Sequence, residues 1–189
     1  QIINPSGGTT ASNGLRIVIQ PNTAFQIYRN NAQQLYITSG DGPDIAVGTA
    51  VTGTYITGAA AWTNVSQSAV TGSGTSASPW QVTTTVRTAS NVVVAMTIRY
   101  VNLDDTIDLR VVITPPGSNT AFVKYSHYFD SYLSGGDNGA AFWQPNSTIN
   151  PPPTIPTVLG VTKLVGSVRQ YEVFIAGTPM WNRYYSANY

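Results

Sequence analysis

The chain contains no cysteine, a single histidine and few charged residues among its 189 positions. The absence of cysteine excludes a disulfide framework, a thiolate nucleophile and a cysteine-based metal site. The single histidine, His127, cannot build the usual zinc site, which needs several nitrogen or sulfur ligands. The sequence also lacks an apolar run of about 18 residues, the length that a membrane-spanning helix needs, so we predict no membrane insertion.

Charge is scarce and nearly balanced. Nine Lys and Arg residues stand against eight Asp and Glu residues, which leaves a net charge of +1. Because the sequence has no basic run, it lacks the clustered positive footprint of a nucleic-acid-binding protein, and nucleic acid is not a predicted partner. Glu172 is the only Glu, and the other acidic residues are Asp, which belongs to turns rather than helical faces. The composition therefore predicts an all-β domain whose carboxylates lie mainly in loops.

Three successive segments alternate apolar and polar residues with a period of two. They are 80–87, 92–100 and 107–114, and turn residues separate them. Alternation over three neighbouring segments predicts a β-meander. On the polar faces of the second and third segments, Arg99 and Arg110 are placed to pair with Asp108.

Further short strands are predicted on both sides of this meander. They are Leu15–Gln20, Ala24–Arg29, Leu35–Thr38, Ala121–Asp130 and a final hairpin of Val158–Val165 and Val168–Ala176. Residues 48–79 have weak strand propensity, with a short helix at 59–62 as an alternative, and the prolines at 151–153 predict an extended connection. Together these segments predict an antiparallel β-sandwich of about ten strands, Ig-like or jelly-roll-like. We expect residues 1–189 to form one domain, with a division near residues 60–80 as the alternative.

The stretch from Asp130 to Gly139 carries the most suggestive set of side chains. A predicted strand ends at Asp130, and a glycine-rich loop follows that contains Asp137 and Asn138. Oxygen donors on a flexible loop suit a hard cation, so these three residues are candidate calcium ligands. The favoured interpretation is structural, because the spacing is not that of an EF-hand: Asp130 accepts hydrogen bonds from loop amides. We predict no cofactor, with calcium as the alternative.

Several of these features together resemble the β-sandwich modules of large bacterial cell-surface and secreted proteins. They are Gly72-Ser73-Gly74-Thr75 ahead of Pro79-Trp80, the Thr- and Val-rich meander, and His127-Tyr128-Phe129-Asp130-Ser131-Tyr132-Leu133 leading into Gly136-Asp137-Asn138-Gly139. The resemblance covers residues 70–143. It implies a β-sandwich fold and an extracellular or cell-surface location in a bacterium, and it carries over no catalytic residue.

No catalytic constellation is recognisable in the sequence. A hydrolytic triad needs a nucleophile, a base and an orienting acid, and the chain has no Gly-x-Ser-x-Gly motif. His127 and Asp130 lie three residues apart on a predicted strand, which directs their side chains to opposite faces. Asp130 and Asp137 are the one carboxylate pair to test for glycoside hydrolysis, as a remote alternative. An intramolecular isopeptide bond would need a buried lysine, either Lys124 or Lys163. We predict that the protein is not an enzyme.

Residues 180–189, which we call the aromatic segment, contain one Trp, three Tyr and one Met. Burying a large aromatic side chain contributes roughly 2–3 kcal/mol, so several exposed aromatics on one segment would be unusual. One interpretation is that the segment closes the domain's own sandwich as a final strand. A second is an interface with another subunit, because Tyr, Trp, Met and Arg are enriched at interface cores. A sugar-stacking platform is the third. The candidate interface residues are Trp181, Arg183, Tyr184, Tyr185 and Tyr189.

Two functions from different classes remain. The first is a secreted or surface-exposed structural subunit that assembles with copies of itself into an extracellular fibre, layer or coat. Low net charge and strands rich in Thr, Ser and Asn favour it, because little repulsion opposes association. The second is an adhesin or carbohydrate-binding module with a glycan partner, calcium-dependent if the loop at Asp130 binds the ion. We prefer assembly as a homo-oligomer or homopolymer.

Overall fold

The computed structural model describes residues 1–36, 43–48, 62–88, 91–117, 122–127, 129–136, 138–144 and 158–175. Within these ranges the protein contains no helix, and every strand pair whose register is described runs antiparallel. The all-β class and the antiparallel pairing predicted from the sequence are therefore confirmed. This described part of the chain also offers no helix of the length and hydropathy that crossing a membrane requires.

The described strands form four groups. In chain order the strands are β1 (Ile2–Ile3), β2 (Arg16–Ile19), β3 (Phe25–Arg29), β4 (Ala32–Tyr36), β5 (Pro43–Gly48), β6 (Thr63–Gln67), β7 (Trp80–Arg87), β8 (Val93–Tyr100), β9 (Ile107–Thr114), β10 (Phe122–His127), β11 (Asp130–Ser131), β12 (Ala140–Gln144), β13 (Val158–Val165) and β14 (Val168–Ile175). A five-stranded sheet has the order β1-β2-β3-β4-β11, and a four-stranded sheet has the order β6-β7-β8-β9. A three-stranded sheet has the order β12-β13-β14, and β5 pairs with β10.

The chain divides into two compact units, residues 1–130 and residues 131–189. The boundary falls within β11, so the three-stranded sheet belongs to the second unit and the meander to the first. The expectation of one domain, with a division near residues 60–80 as its alternative, stays a prediction.

In the first unit, the five-stranded and four-stranded sheets contribute to one hydrophobic core. β2 shows the pattern, because Ile17 and Ile19 are buried while Arg16 and Val18, which alternate with them, are partly exposed. The buried cluster contains Ile3, Leu15, Ile17, Ile19, Phe25, Leu35, Val82, Met96, Ile98 and Tyr100. A core shared by two antiparallel sheets is the packing that a sandwich requires. The finer assignment to an Ig-like or jelly-roll-like sandwich stays a prediction.

Tyr100, at the end of β8, connects this core to the segment that precedes β2. Its side chain is buried, and its hydroxyl accepts a hydrogen bond from the backbone N–H of Leu15 at 2.7 Å. Its ring stacks on Trp80, with the ring centroids 6.1 Å apart. Gly74 permits this packing, because a Cβ atom at that position would lie 2.7 Å from the indole and the backbone φ is +79°. The faces of both rings are therefore used inside the unit.

The predicted meander is confirmed. β7 pairs with β8 from Trp80 opposite Tyr100 to Arg87 opposite Val93, and β8 pairs with β9 along its whole length. The predicted final hairpin is confirmed as well, with Gly166 at φ +61° in its tight turn. Segments with eight alternating residues per strand carry enough repeats for the period to be read from sequence.

Several short strands are not predicted by the periodicity. β1, β5, β6, β11 and β12 have two to six residues each, too few for alternation to be recognised. They form because partners elsewhere in the chain supply the backbone hydrogen bonds. Apart from Trp62, the alternative helix at 59–62 lies outside the described residues, and so do the three prolines at 151–153.

Candidate functional site

The structure describes two of the three candidate calcium ligands. Asp130 is half-buried in β11, and Asn138 is exposed shortly before β12. Asp137 lies outside the described residues. Among the residues that are described, no group of three or more His, Cys, Asp or Glu side chains is gathered closely enough to hold a metal ion. Calcium binding by this loop stays a prediction.

A cationic side chain of the protein already lies against this loop. The ammonium nitrogen of Lys163, on β13, donates a hydrogen bond to the backbone carbonyl of Gly136 at 3.3 Å. A Cβ atom at position 136 would lie 2.6 Å from that nitrogen, so a glycine allows the close approach. A divalent ion at the same carbonyl would be repelled by the ammonium, because like charges a few ångströms apart interact unfavourably. The contact thus favours the structural interpretation of the loop.

The same loop covers one face of the three-stranded sheet. Ser131 donates a hydrogen bond to Glu172, and Ser134 donates one to Gln170. Both acceptors occupy even-numbered positions of β14, which share one face because side chains alternate along a strand. Lys163 lies opposite Gln170 in the register and therefore belongs to that face too. We call it the covered face.

The other face of this sheet exposes several large apolar side chains, and we call it the open face. Its large apolar residues are Phe142, Leu164, Tyr171, Val173 and Ile175, and the strand register places Thr162 and Arg169 on the same side. Tyr171 is 59% exposed, Val173 46%, Ile175 73% and Leu164 58%. Phe142 is half-buried and meets Tyr171 edge to face, with ring centroids 5.9 Å apart. Apolar side chains gain stability when they are buried, so a contiguous exposed group marks a candidate interaction site.

Gly160 shapes the open face. It lies on β13 between Phe142 of β12 and Val173 of β14. A Cβ atom at position 160 would come within 2.6 Å of the Phe142 ring, so the missing side chain lets the ring lie across β13. The ring then reaches Tyr171, and the aromatic pair joins the aliphatic residues in one apolar surface.

Exposed apolar residues are concentrated on the hairpin of β13 and β14. Of the eleven large hydrophobic residues exposed in the described part of the chain, six belong to it: Leu164, Val165, Val168, Tyr171, Val173 and Ile175. β14 is also an edge strand of its sheet in the described residues. An edge strand presents unpaired backbone groups, and proteins usually protect such edges with charges, bulges or proline. Of the positions that face the open side on β14, only Arg169, beside the turn, is charged.

The remaining predicted site residues do not join this surface in the described structure. The candidate interface residues Trp181, Arg183, Tyr184, Tyr185 and Tyr189 lie outside the described residues and stay predictions. His127 is in β10, opposite Pro43 of β5, and its side chain is not described. Trp62 packs against a second buried cluster of valines, and Trp80 stacks in the core. The expectation that the protein is not an enzyme also stays a prediction.

The open face is a feature that sequence reasoning missed. The alternation in the last hairpin predicts a strand with one buried and one solvated face. The signal that could have revealed more is the presence of large apolar residues at both parities of β14. Val168 and Phe174 are even-numbered, whereas Tyr171, Val173 and Ile175 are odd-numbered. A strand of this kind needs cover on both faces.

Comparison with known proteins gives this chain no family assignment. No protein-family model matches it, and no curated protein and no solved structure matches it either. Function is therefore inferred from the residues of the open face and of the loop on the covered face.

Proposed function

We propose that the protein is a secreted or surface-exposed structural subunit that assembles with copies of itself into an extracellular fibre, layer or coat. The observation that carries this proposal is the open face. Tyr171, Val173 and Ile175 leave about half or more of their surface in water, with exposures of 59%, 46% and 73%. The largest apolar patch on a typical monomer, about 300–600 Å², is often a functional surface, so a contiguous patch of this kind is a candidate interaction site.

The charge of the chain supports association. A net charge of +1 over 189 residues supplies almost no long-range repulsion between copies. A location outside a bacterial cell follows from the resemblance to surface and secreted β-sandwich modules and belongs to the proposal.

Glycan binding by an adhesin or carbohydrate-binding module has less support. Such sites commonly offer an aromatic ring face to a sugar, and the two tryptophans whose side chains are described use their rings in packing within the first unit. The calcium-dependent version would also place a divalent ion near the Lys163 ammonium. Self-assembly is therefore the function that we favour.

Electron microscopy and light scattering on the purified full-length chain test the proposal. We expect particles larger than a monomer whose abundance rises with protein concentration. A matched variant in which Trp181, Tyr184 and Tyr185 are changed to Ser tests whether the aromatic segment contributes, as the sequence predicts. A protein that remains monomeric up to about 1 mM, where an association free energy near −4 kcal/mol would be detected, would overturn the proposal. Binding on a glycan array that is abolished by a chelator would establish the alternative.

A further inference from the structure

We propose that the open face of the second unit packs against the open face of a second copy of this chain, sheet on sheet, about a two-fold axis. This inference rests on the proposed self-assembly and names the surface and the geometry that it uses. The partner is identical, so each copy contributes the same residues. These are Phe142, Leu164, Tyr171, Val173 and Ile175.

Burial by face-to-face packing explains the exposed residues better than edge-to-edge pairing. If β14 paired only edge to edge with another β14, a wider sheet would form, but Tyr171, Val173 and Ile175 would still face water. Stacking two antiparallel sheets about 10 Å apart buries the inner faces of both. The covered face is not available for such stacking, because the loop that contains Ser131 and Ser134 already binds Glu172 and Gln170 there.

The size of the open face favours a weak contact. Its five side chains, about half exposed on average, present on the order of 400 Å² of apolar surface. A standard protein–protein interface buries roughly 800 Å² on each partner. Two copies of the open face together bury on the order of 800 Å² in total, which is the range of transient contacts. We therefore expect a dimer that dissociates on dilution and persists where other contacts hold the copies close together.

The charge pattern fits an antiparallel two-fold arrangement. Arg169 is the one charged residue on the open side of β14, and it lies next to the turn. Ile175 lies six residues further on, roughly 20 Å away along the strand. A two-fold axis near Val173 or Tyr171 places each Arg169 beside the aliphatic end of the other copy. The two guanidinium groups are then kept apart, and both remain at the rim of the contact, where water reaches them.

A contact of this symmetry determines what else an assembly needs. An isologous two-fold contact is satisfied by two copies and cannot extend further. A fibre or layer would therefore be built from dimers and would require a second, different contact. The aromatic segment is the candidate for that contact from sequence.

Lysine substitutions in the full-length chain test the surface. Val173→Lys places a charge in the middle of the open face, where burial against an apolar partner is unfavourable. Val168→Lys is the matched control, because Val168 is 62% exposed on the same strand and has the opposite parity. In sedimentation velocity over a range of concentrations, we expect Val173→Lys to raise the dimer dissociation constant at least about tenfold. Val168→Lys should change it less than about threefold.

Cysteine variants supply a second measurement that does not depend on affinity. The chain contains no cysteine, so a single introduced cysteine can form a disulfide only between two copies. Under mild oxidation we expect Val173→Cys to form a covalent dimer much faster than Val168→Cys. The more exposed control would react faster if random collisions caused the bond.

The outcomes separate this inference from the proposed function. Higher-order particles that form equally well with Val173→Lys would overturn the open-face contact and leave self-assembly standing. A dimer that Val173→Lys disrupts, without any larger particle, would support the contact and contradict the fibre or layer. Equal effects at positions 168 and 173 would overturn the contact. So would a fall in melting temperature for Val173→Lys without a change in sedimentation, because the chain would then cover the face itself.

Discussion

Replacing Tyr100 with Phe removes one oxygen atom from the core of the first unit. The Tyr100 side chain is 1% exposed, and its hydroxyl accepts the backbone N–H of Leu15 at 2.7 Å. Phe keeps the ring that stacks on Trp80 but leaves the Leu15 N–H group without its acceptor. A buried donor left unpaired costs about 1–3 kcal/mol, so we expect the free energy of unfolding to fall by about 2 kcal/mol.

Urea unfolding followed by tryptophan fluorescence measures this loss. About 2 kcal/mol corresponds to a decrease of roughly 4–8 °C in the melting temperature of a chain of this size. The slope of the unfolding free energy against urea concentration should be unchanged, because the same surface is exposed on unfolding. The control is Tyr171→Phe, which removes a hydroxyl from a ring that is 59% exposed. We expect that variant to stay within about 0.5 kcal/mol of the parent protein.

The same substitution has a pH signature. Burial raises the pKa of Tyr100 above its ordinary value of 10.0, and the nearby Asp104 and Asp105 act in the same direction. The folded state therefore holds this proton more tightly than the unfolded state. The resulting stabilisation is complete below about pH 10 and is lost as the pH rises through the folded-state pKa. Phe does not titrate, so the difference between the two proteins should shrink above about pH 10. A difference that is negligible at neutral pH, or constant into the alkaline range, would refute this reasoning.

Three other substitutions have expected outcomes. Gly160→Val should destabilise the second unit by about 1–3 kcal/mol in thermal unfolding, because a Cβ atom there would lie 2.6 Å from the Phe142 ring. Lys163→Met should cost about 1–2 kcal/mol by removing the hydrogen bond from its ammonium to the loop carbonyl. Added calcium should leave the melting temperature of the parent protein unchanged. A higher melting temperature with calcium would instead support calcium binding by the loop. Arg99→Ala should change the urea midpoint very little, because its 3.8 Å pair with Asp108 is exposed and contributes about 0–1 kcal/mol.

The sequence predicts the parts of the fold in which strands that are adjacent in the chain also pair with each other in the sheet. β7, β8 and β9 follow one another, so one period-two signal gives both the strands and their neighbours. The pairing of Asp44 with Ser126 and of Val47 with Val123, in β5 and β10, has no such signal. Those strands lie more than seventy residues apart, and a six-residue segment does not identify its partner. Which distant strands pair is decided by how the whole core packs, and neither short segment carries that information by itself.

The same limit applies to the candidate site. Sequence points to the oxygen donors near Asp130 and to the aromatic segment, because both are clusters along the chain. Lys163 approaches Gly136 from 27 residues away, so the positive charge against the loop becomes visible only once β13 is placed. The open face is missed for a related reason. Alternation shows which side chains share a face, but it does not show whether anything covers that face.

The residue types on the open face bear on the proposed contact with a second copy. A small sheet has two faces, and the loop on the covered face contacts Gln170 and Glu172 there. The outward face of the meander carries several threonines, such as the Thr83 and Thr97 pair with hydroxyls 2.8 Å apart, and it also exposes Val112. Threonine keeps the β-branch that favours a strand and solvates the surface as well. Val173 and Ile175 could be threonine without loss to the strand, yet both are aliphatic, with exposures of 46% and 73%. Strand formation alone does not require them, and the proposed contact with a second copy would bury both.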